Sequence, residues 1–276
     1  MNILTDKFLA IEEEWLANWI NSFQPNAIAQ QFKEPQVEHV AVNAYSQREL
    51  GWLGIDSQEA DGKLVAIISI SGVLSPEWSW GGVSMQWIGR QISVACDNVN
   101  VVAVVLRFNT PGGTVNGTAA LAKTIANAGK PVIGHTEFLC ASAGLWLSSM
   151  CKEHWIASAK TTGIGSLGVM ATYTSMAKKL EKDGIDVRVL RSKGSEDKSL
   201  LHMMEPFRDK ALADQQMLID TMREEMLAAI LSKRTKVSPK ISGAMFYGQA
   251  AIDAGLADRV GDLDAVIKRA FYLGLK

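Results

Sequence analysis

The sequence predicts an α/β protein built on a largely parallel sheet. Two apolar, β-branched runs, at residues 64–70 and 100–108, read as buried strands. Segments of helical spacing lie between such runs, and Gly- and Pro-rich turns mark the joins. Strands that alternate with helices form βαβ units, whose strands run parallel. A chain of 276 residues has room for one large domain of this kind, or a smaller one with an extension.

The elements follow in order. Residues 6–23 carry Phe8, Ile11, Trp15, Trp19, Ile20 and Phe23 at spacings of three and four, which predicts a helix with one apolar stripe. It packs on its own domain or serves as an arm on a neighbouring subunit. Residues 24–62 are polar and mixed, and read as a linker or irregular cover. The division expected is therefore an N-terminal helix and linker over 1–62 and the main domain over 63–276.

"KLVAIISISGVLS" opens that domain with a strand, and a Trp/Gly loop follows at 78–82. Residues 83–97 have helical spacing. "NVVAVVLRF" is the strongest strand signal in the chain. "TPGGT" breaks it, and 115–128 reads as a helix. "PVIGHTEF" is a further strand, a helix is expected over 143–151, and "HWIASA" is a short strand. The loop "KTTGIGSLGV", a helix over 175–183, a strand at "DVRVLR" and a long helix through Leu212, Leu218, Met222, Met226 and Ile230 complete the reading.

Composition excludes several classes. The net charge of −1 leaves no basic footprint for nucleic acid. Three cysteines, Cys96, Cys140 and Cys151, lack metal-type spacing and point to a reducing compartment. No apolar stretch reaches the ~18 residues that a membrane helix needs. The first residues carry acids where a signal peptide is basic. The expectation is a cytoplasmic protein with no metal, no cofactor, no membrane and no nucleic-acid partner. "SKRTK", residues 232–236, reads as a solvated helix end.

Two stretches carry chemistry. "NTPGGTV" places two glycines between a buried strand and a helix. The backbone turns sharply there and leaves N–H groups free to hold an anionic oxygen, although a plain β-to-α turn has the same composition. "CASAGLW", residues 140–146, sets Ser142 among small residues at a strand-to-helix turn. This is the logic of a nucleophile elbow without its Gly-x-Ser-x-Gly signature, and also that of an N-cap serine. Cys140 is a rival nucleophile, better read as a buried small side chain. None of the four histidines, His39, His135, His154 and His202, stands in a catalytic context. A desolvated lysine can replace histidine as a base, and "RSKGSEDKSLLHMMEPF" offers Lys193 and Lys198.

Together these motifs resemble the signal peptide peptidase A family of serine proteases, and within it the phage and prophage capsid-assembly branch. The resemblance runs from about Leu64 to about Ala270. "VAIISISGVL" is similar to the family's opening strand. "NTPGG" is similar to its Ser-Pro-Gly-Gly loop, with Thr110 in the serine's place. "ASAGLW" resembles its nucleophile motif and "TGIGSLGV" its Gly-Ser loop. "MAKKLEKDGIDVRVLRSKG" resembles the segment before the catalytic lysine, and "FYGQAAIDAGLADRVGDLDAVI" its C-terminal signature.

The resemblance implies a Clp-protease/crotonase-type spiral of βαβ units with flanking helices, and a Ser-Lys dyad. Ser142 is then the nucleophile, Lys198 the general base, Gly112 and Gly113 the oxyanion donors, and Ser166 a residue lining the site. The family's Gly-x-x-Lys is lengthened here, with three residues between Gly194 and Lys198 and a late Pro206, which keeps Lys193 as an alternative base. The resemblance also implies a homo-oligomeric ring whose subunits complete each other's sites, and a protein or peptide substrate. With no anchor legible, the membrane-bound branch is not expected. Nor is a scaffold segment expected after Lys276. Two other readings use the same residues: an inactive ring protein of the same fold, and a crotonase-type acyl-CoA enzyme.

Overall fold

A computed structural model describes residues 9–11, 37–41, 57–77 and 82–276. The main sheet is centred on β3 (Leu64–Ser71), β6 (Val101–Thr110) and β8 (Val132–Ala141), all parallel. β10 (Gly163–Gly165) extends it in parallel beyond β8. Two antiparallel strands close the ends: β2 (Val37–Ala41) on β3, and β11 (Met245–Tyr247) on β10. β9 (Glu153–Ile156) pairs with the start of β8 and carries β12 (Arg259–Val260).

The near-continuous apolar runs of β3 and β6 follow from burial on both faces. Ala66, Ile68, Ile70, Val104, Leu106 and Phe108 face a core shared with α2 (Met85–Asp97), α3 (Thr118–Ala126) and α4 (Ala143–Ser149). Val65, Ile67, Ala103 and Val105 face the other way, onto Val266, Ala270 and Phe271 of α8 (Leu263–Gly274). α2 starts where the Ser84 hydroxyl accepts the Trp87 amide, and α8 where the Asp262 carboxylate accepts that of Ala265, both side-chain N-caps.

A smaller sheet runs β1 (Leu9–Ile11), β7 (Gly112–Thr114), β4 (Val73–Ser75), β5 (Gly82–Ser84). β7 needs its glycines. A Cβ on Gly113 would stand 1.9 Å from the Leu74 carbonyl oxygen, so the two backbones meet with nothing between them. The remaining helices are α1 (Ser57–Ala60), α5 (Ala177–Lys182), α6 (Asp209–Lys233) and α7 (Gln249–Asp253).

Besides β7, which the sequence reads as a turn, the structure departs from the sequence reading in three places. Leu9–Ile11 is a strand, not part of a helix, and the rest of the helix expected over 6–23 lies outside the described residues. The segment read as linker supplies β2 to the main sheet. "DVRVLR" forms no strand: residues 185–192 pair with no sheet, and Leu190 is 92% exposed. Its alternation suits a strand, but a strand also needs a free sheet edge beside it. The Trp78–Trp80 part of the Trp/Gly loop lies outside the described residues.

Candidate active site

β8 runs on through Cys140 and Ala141, and the chain then turns into α4 at Ser142. Ser142 has φ 54° and ψ −116°, a region that a residue with a side chain occupies at a cost of about 1–3 kcal/mol. Bonds on both sides hold it there. Its amide donates to the Gly165 carbonyl at 2.8 Å, and its own carbonyl accepts the Trp146 amide at 3.0 Å, the first bond of α4. The hydroxyl donates to the Gly168 carbonyl at a long 3.4 Å. Small neighbours are required. A Cβ on Gly144 would stand 2.5 Å from Thr110 Cγ2.

β10 and the loop after it form the next wall. Gly165 has φ 149°, and a Cβ there would strike the Ala244 carbonyl at 2.5 Å. Ser166, at φ 54°, is fixed by its amide bond to that same carbonyl, at 3.0 Å. The Gly-Ser loop thus lies beside the serine through its backbone: the Gly165 and Gly168 carbonyls accept from Ser142, while Ser166 bonds to Ala244.

The Gly-Gly turn is organised by Thr110. This buried hydroxyl donates to the Gly72 carbonyl at 2.7 Å and accepts the Gly112 amide at 3.1 Å. Of the two expected oxyanion donors, the Gly112 N–H is therefore held by Thr110. Sequence reasoning noted Thr110 as a departure in the motif and missed its role as the clasp of the turn. A β-branched hydroxyl residue directly before Pro-Gly-Gly was the available signal.

The lysines do not join this cluster. Lys193 and Lys198 are both exposed, and neither is hydrogen-bonded to Ser142. Lys198 sits in a turn, where its amide donates to the Ser195 carbonyl and its carbonyl accepts Arg191 Nε at 2.6 Å. Arg191 in turn is clamped by Glu205, which orders the loop from 191 to 205. The desolvated lysine expected from the sequence is thus not formed by the folded chain on its own.

Other ionisable groups stand apart. Burial pushes the Cys140 thiol up to about 12, so it stays a neutral thiol inside the sheet. His154, on β9, is fully buried with Nε2 2.8 Å from Thr136 Oγ1, and burial first, then the nearby Arg234 charge, lowers its pKa to about 3. Burial also lowers His135, whose Nε2 lies 3.2 Å from the Gly261 carbonyl. Asp258, in the C-terminal signature, accepts the His154 amide at 2.6 Å and Arg234 Nη1 at 2.5 Å. That signature is a structural clasp between β9 and the end of α6. No group of His, Cys, Asp and Glu among the described residues is placed to hold a metal, and no described helix is long and apolar enough to cross a membrane.

A buried serine thus sits in a strained turn between a parallel strand and a helix, the geometry of a nucleophile elbow, with the Thr110 side chain of the glycine turn against Gly144 two residues on. The model of peptidase family S49 matches residues 124–273, more than half of the chain, and the chain belongs to that family. It is 25% identical over 222 residues to Protease 4 of Salmonella typhi, covering 78% of this chain and 35% of that protein. It is 29% identical over 217 residues to capsid assembly protease C of Escherichia phage lambda, covering 73% and 48%. It is 31% identical over 166 residues to the head-tail preconnector protein GP5 of Enterobacteria phage P21, covering 58% and 32%. The chain thus spans between about a third and about a half of these relatives.

Proposed function

We propose that this chain is a serine endopeptidase that cleaves extended or unstructured protein segments, with Ser142 as nucleophile and Lys198 as general base. The observation that carries the reading is the Ser142 elbow: a serine at φ 54°, bonded to Gly165, with the Gly-Gly turn alongside. Serine Oγ attacks the scissile carbonyl carbon while its proton passes to a neutral lysine amine. The resulting oxyanion is held by backbone amides. Gly113 and Gly112 are the donors proposed, with Gly112 giving up Thr110 Oγ1 for the substrate oxygen. The intermediate collapses, the leaving amine takes the proton back from the lysine, and water then hydrolyses the acyl-serine by the same route.

The lysine becomes a base only when desolvated, and its loop is exposed in the single chain. We place that loop against a second copy in a homo-oligomeric ring. Ile185, Val187 and Leu190, apolar and exposed just before it, support this reading. The parallel core suits the proposed Clp/crotonase-type spiral. The phage relatives favour processing of structural proteins during head assembly in a host cytoplasm, and proteins as partners.

The test is turnover of a fluorogenic peptide from about pH 6 to about pH 10, with Lys198→Ala, Lys193→Ala and Lys198→Arg compared. Loss of at least about a hundred-fold in both Lys198 variants, with Lys193→Ala near wild type, is expected. Loss only in Lys193→Ala makes Lys193 the base, and loss in neither removes the dyad.

A further inference from the structure

β7, the strand of the Gly-Gly turn, has two edges. One pairs with β4, through Gly113 opposite Leu74. The other is taken by β1, antiparallel, with Ile11 opposite Gly112, Ala10 opposite Gly113 and Leu9 opposite Thr114. The strand itself lies next to the Ser142 elbow. Thr110, which clasps Gly112, presses on Gly144 two residues after Ser142, and α4 packs on β7.

An extended peptide binds most simply by adding a strand to an open sheet edge, where main-chain hydrogen bonds accept any sequence. One edge holds one strand. A substrate laid along β7 towards Ser142 therefore needs the place that residues 9–11 hold.

We infer that Leu9–Ile11 is an intramolecular occupant of the substrate's strand position, which blocks the site until an extended substrate displaces it. The inference rests on the peptidase reading above. Its energetics are consistent with a displaceable block. Three residues form a short ladder, and isolated short strand pairs are marginal in water. The covalent link compensates, since tethering raises the local concentration of the segment to the order of millimolar. An intramolecular competitor of this kind raises the apparent KM by the reciprocal of the unblocked fraction and leaves kcat unchanged.

The experiment uses the full chain and two probes of Ser142: a peptidyl phosphonate that must lie along β7, and a compact fluorophosphonate that need not. Leu9→Cys with Thr114→Cys puts thiols at directly opposed positions, the spacing a disulfide spans. Oxidation should slow the peptidyl probe at least about ten-fold, and reductant should restore it. Leu9→Pro, which strains the ladder, should speed that probe and lower KM about five-fold at constant kcat. The compact probe should label Ser142 at similar rates throughout, which also reports an intact site. Equal peptidyl rates in the oxidised and reduced protein would overturn the inference. So would a Leu9→Pro protein that loses reactivity to both probes, since β1 would then support the site instead of blocking it. If no probe labels Ser142 in any chain, the peptidase reading fails, and this inference with it.

Discussion

Thr110 Cγ2 occupies the space where a Cβ on residue 144 would stand, 2.5 Å from that position. The contact joins the Gly-Gly turn to the first turn of α4, and a β-branched side chain cannot rotate out of the way cheaply. Gly144→Ala should therefore destabilise the protein by about 1–3 kcal/mol and disturb the Gly112 clasp. Thr110→Ser keeps the hydroxyl and removes the obstructing methyl. The double variant should recover most of the lost stability, by urea denaturation, and most of the lost peptide turnover. Equal defects in the single and double variants would show that the clash is not what Gly144 avoids.

Ser142 is strained as well as proposed to be reactive. Ser142→Ala and Ser142→Gly should both lose at least about a thousand-fold in turnover. Only glycine relieves the positive φ, so Ser142→Gly should be the more stable of the two by about 1 kcal/mol. Chemical denaturation of both variants measures this difference. An alanine variant as stable as the glycine one would mean that the elbow stores no strain.

Acid should weaken the fold earlier than carboxylates alone would allow. His154 has a pKa of about 3 in the folded chain, against 6.5 when unfolded. Between those values the unfolded state binds a proton that the folded state does not. Stability then falls as pH drops, by about 1 kcal/mol per unit. His135, also lowered, acts in the same direction. Glu153, lowered by its Arg269 and Trp155 bonds against the opposing effect of burial, gives stability that is lost only as pH falls below about 4.5. A urea series from about pH 7 to about pH 5 isolates the histidines, and His154→Gln should flatten the slope.

Asp258→Asn should cost about 3 kcal/mol. It leaves the Arg234 guanidinium, 7% exposed, without its carboxylate, and it weakens the acceptor of the His154 amide. Replacing both Arg234 and Asp258 by neutral residues should cost less than removing Asp258 alone. A thermal-unfolding double-mutant cycle tests this.

The parts of the fold legible in the sequence are those whose signal is local. β3, β6 and β8 carry β-branched runs, and α6 has a capless but long helical spacing. Ser142 was legible because a turn so tight against Thr110 admits only small residues. β1, β2 and β7 were not legible. β7 reads as a turn because glycine favours no strand, and it is extended only because the Leu74 backbone lies against it. The alternation at 185–192 misled for the opposite reason: its local pattern is right, but it pairs with no strand among the described residues. The exposure of Lys198 was invisible because burial depends on the elements around a residue, which its own neighbours in sequence do not reveal.

The bond from the Ser142 amide to Gly165 has a consequence for the order of synthesis. Gly165 is set by β11, and Ser166 beside it is tied to Ala244, about a hundred residues after the serine. A ribosome makes the chain from its N-terminus, and structure forms as the required segments emerge. A nascent chain that has exposed Ser142 but not yet β11 lacks the partner that shapes the elbow. The elbow is therefore shaped only after β11 has emerged, and on the proposed peptidase reading a copy that stops before β11 should leave Ser142 unreactive.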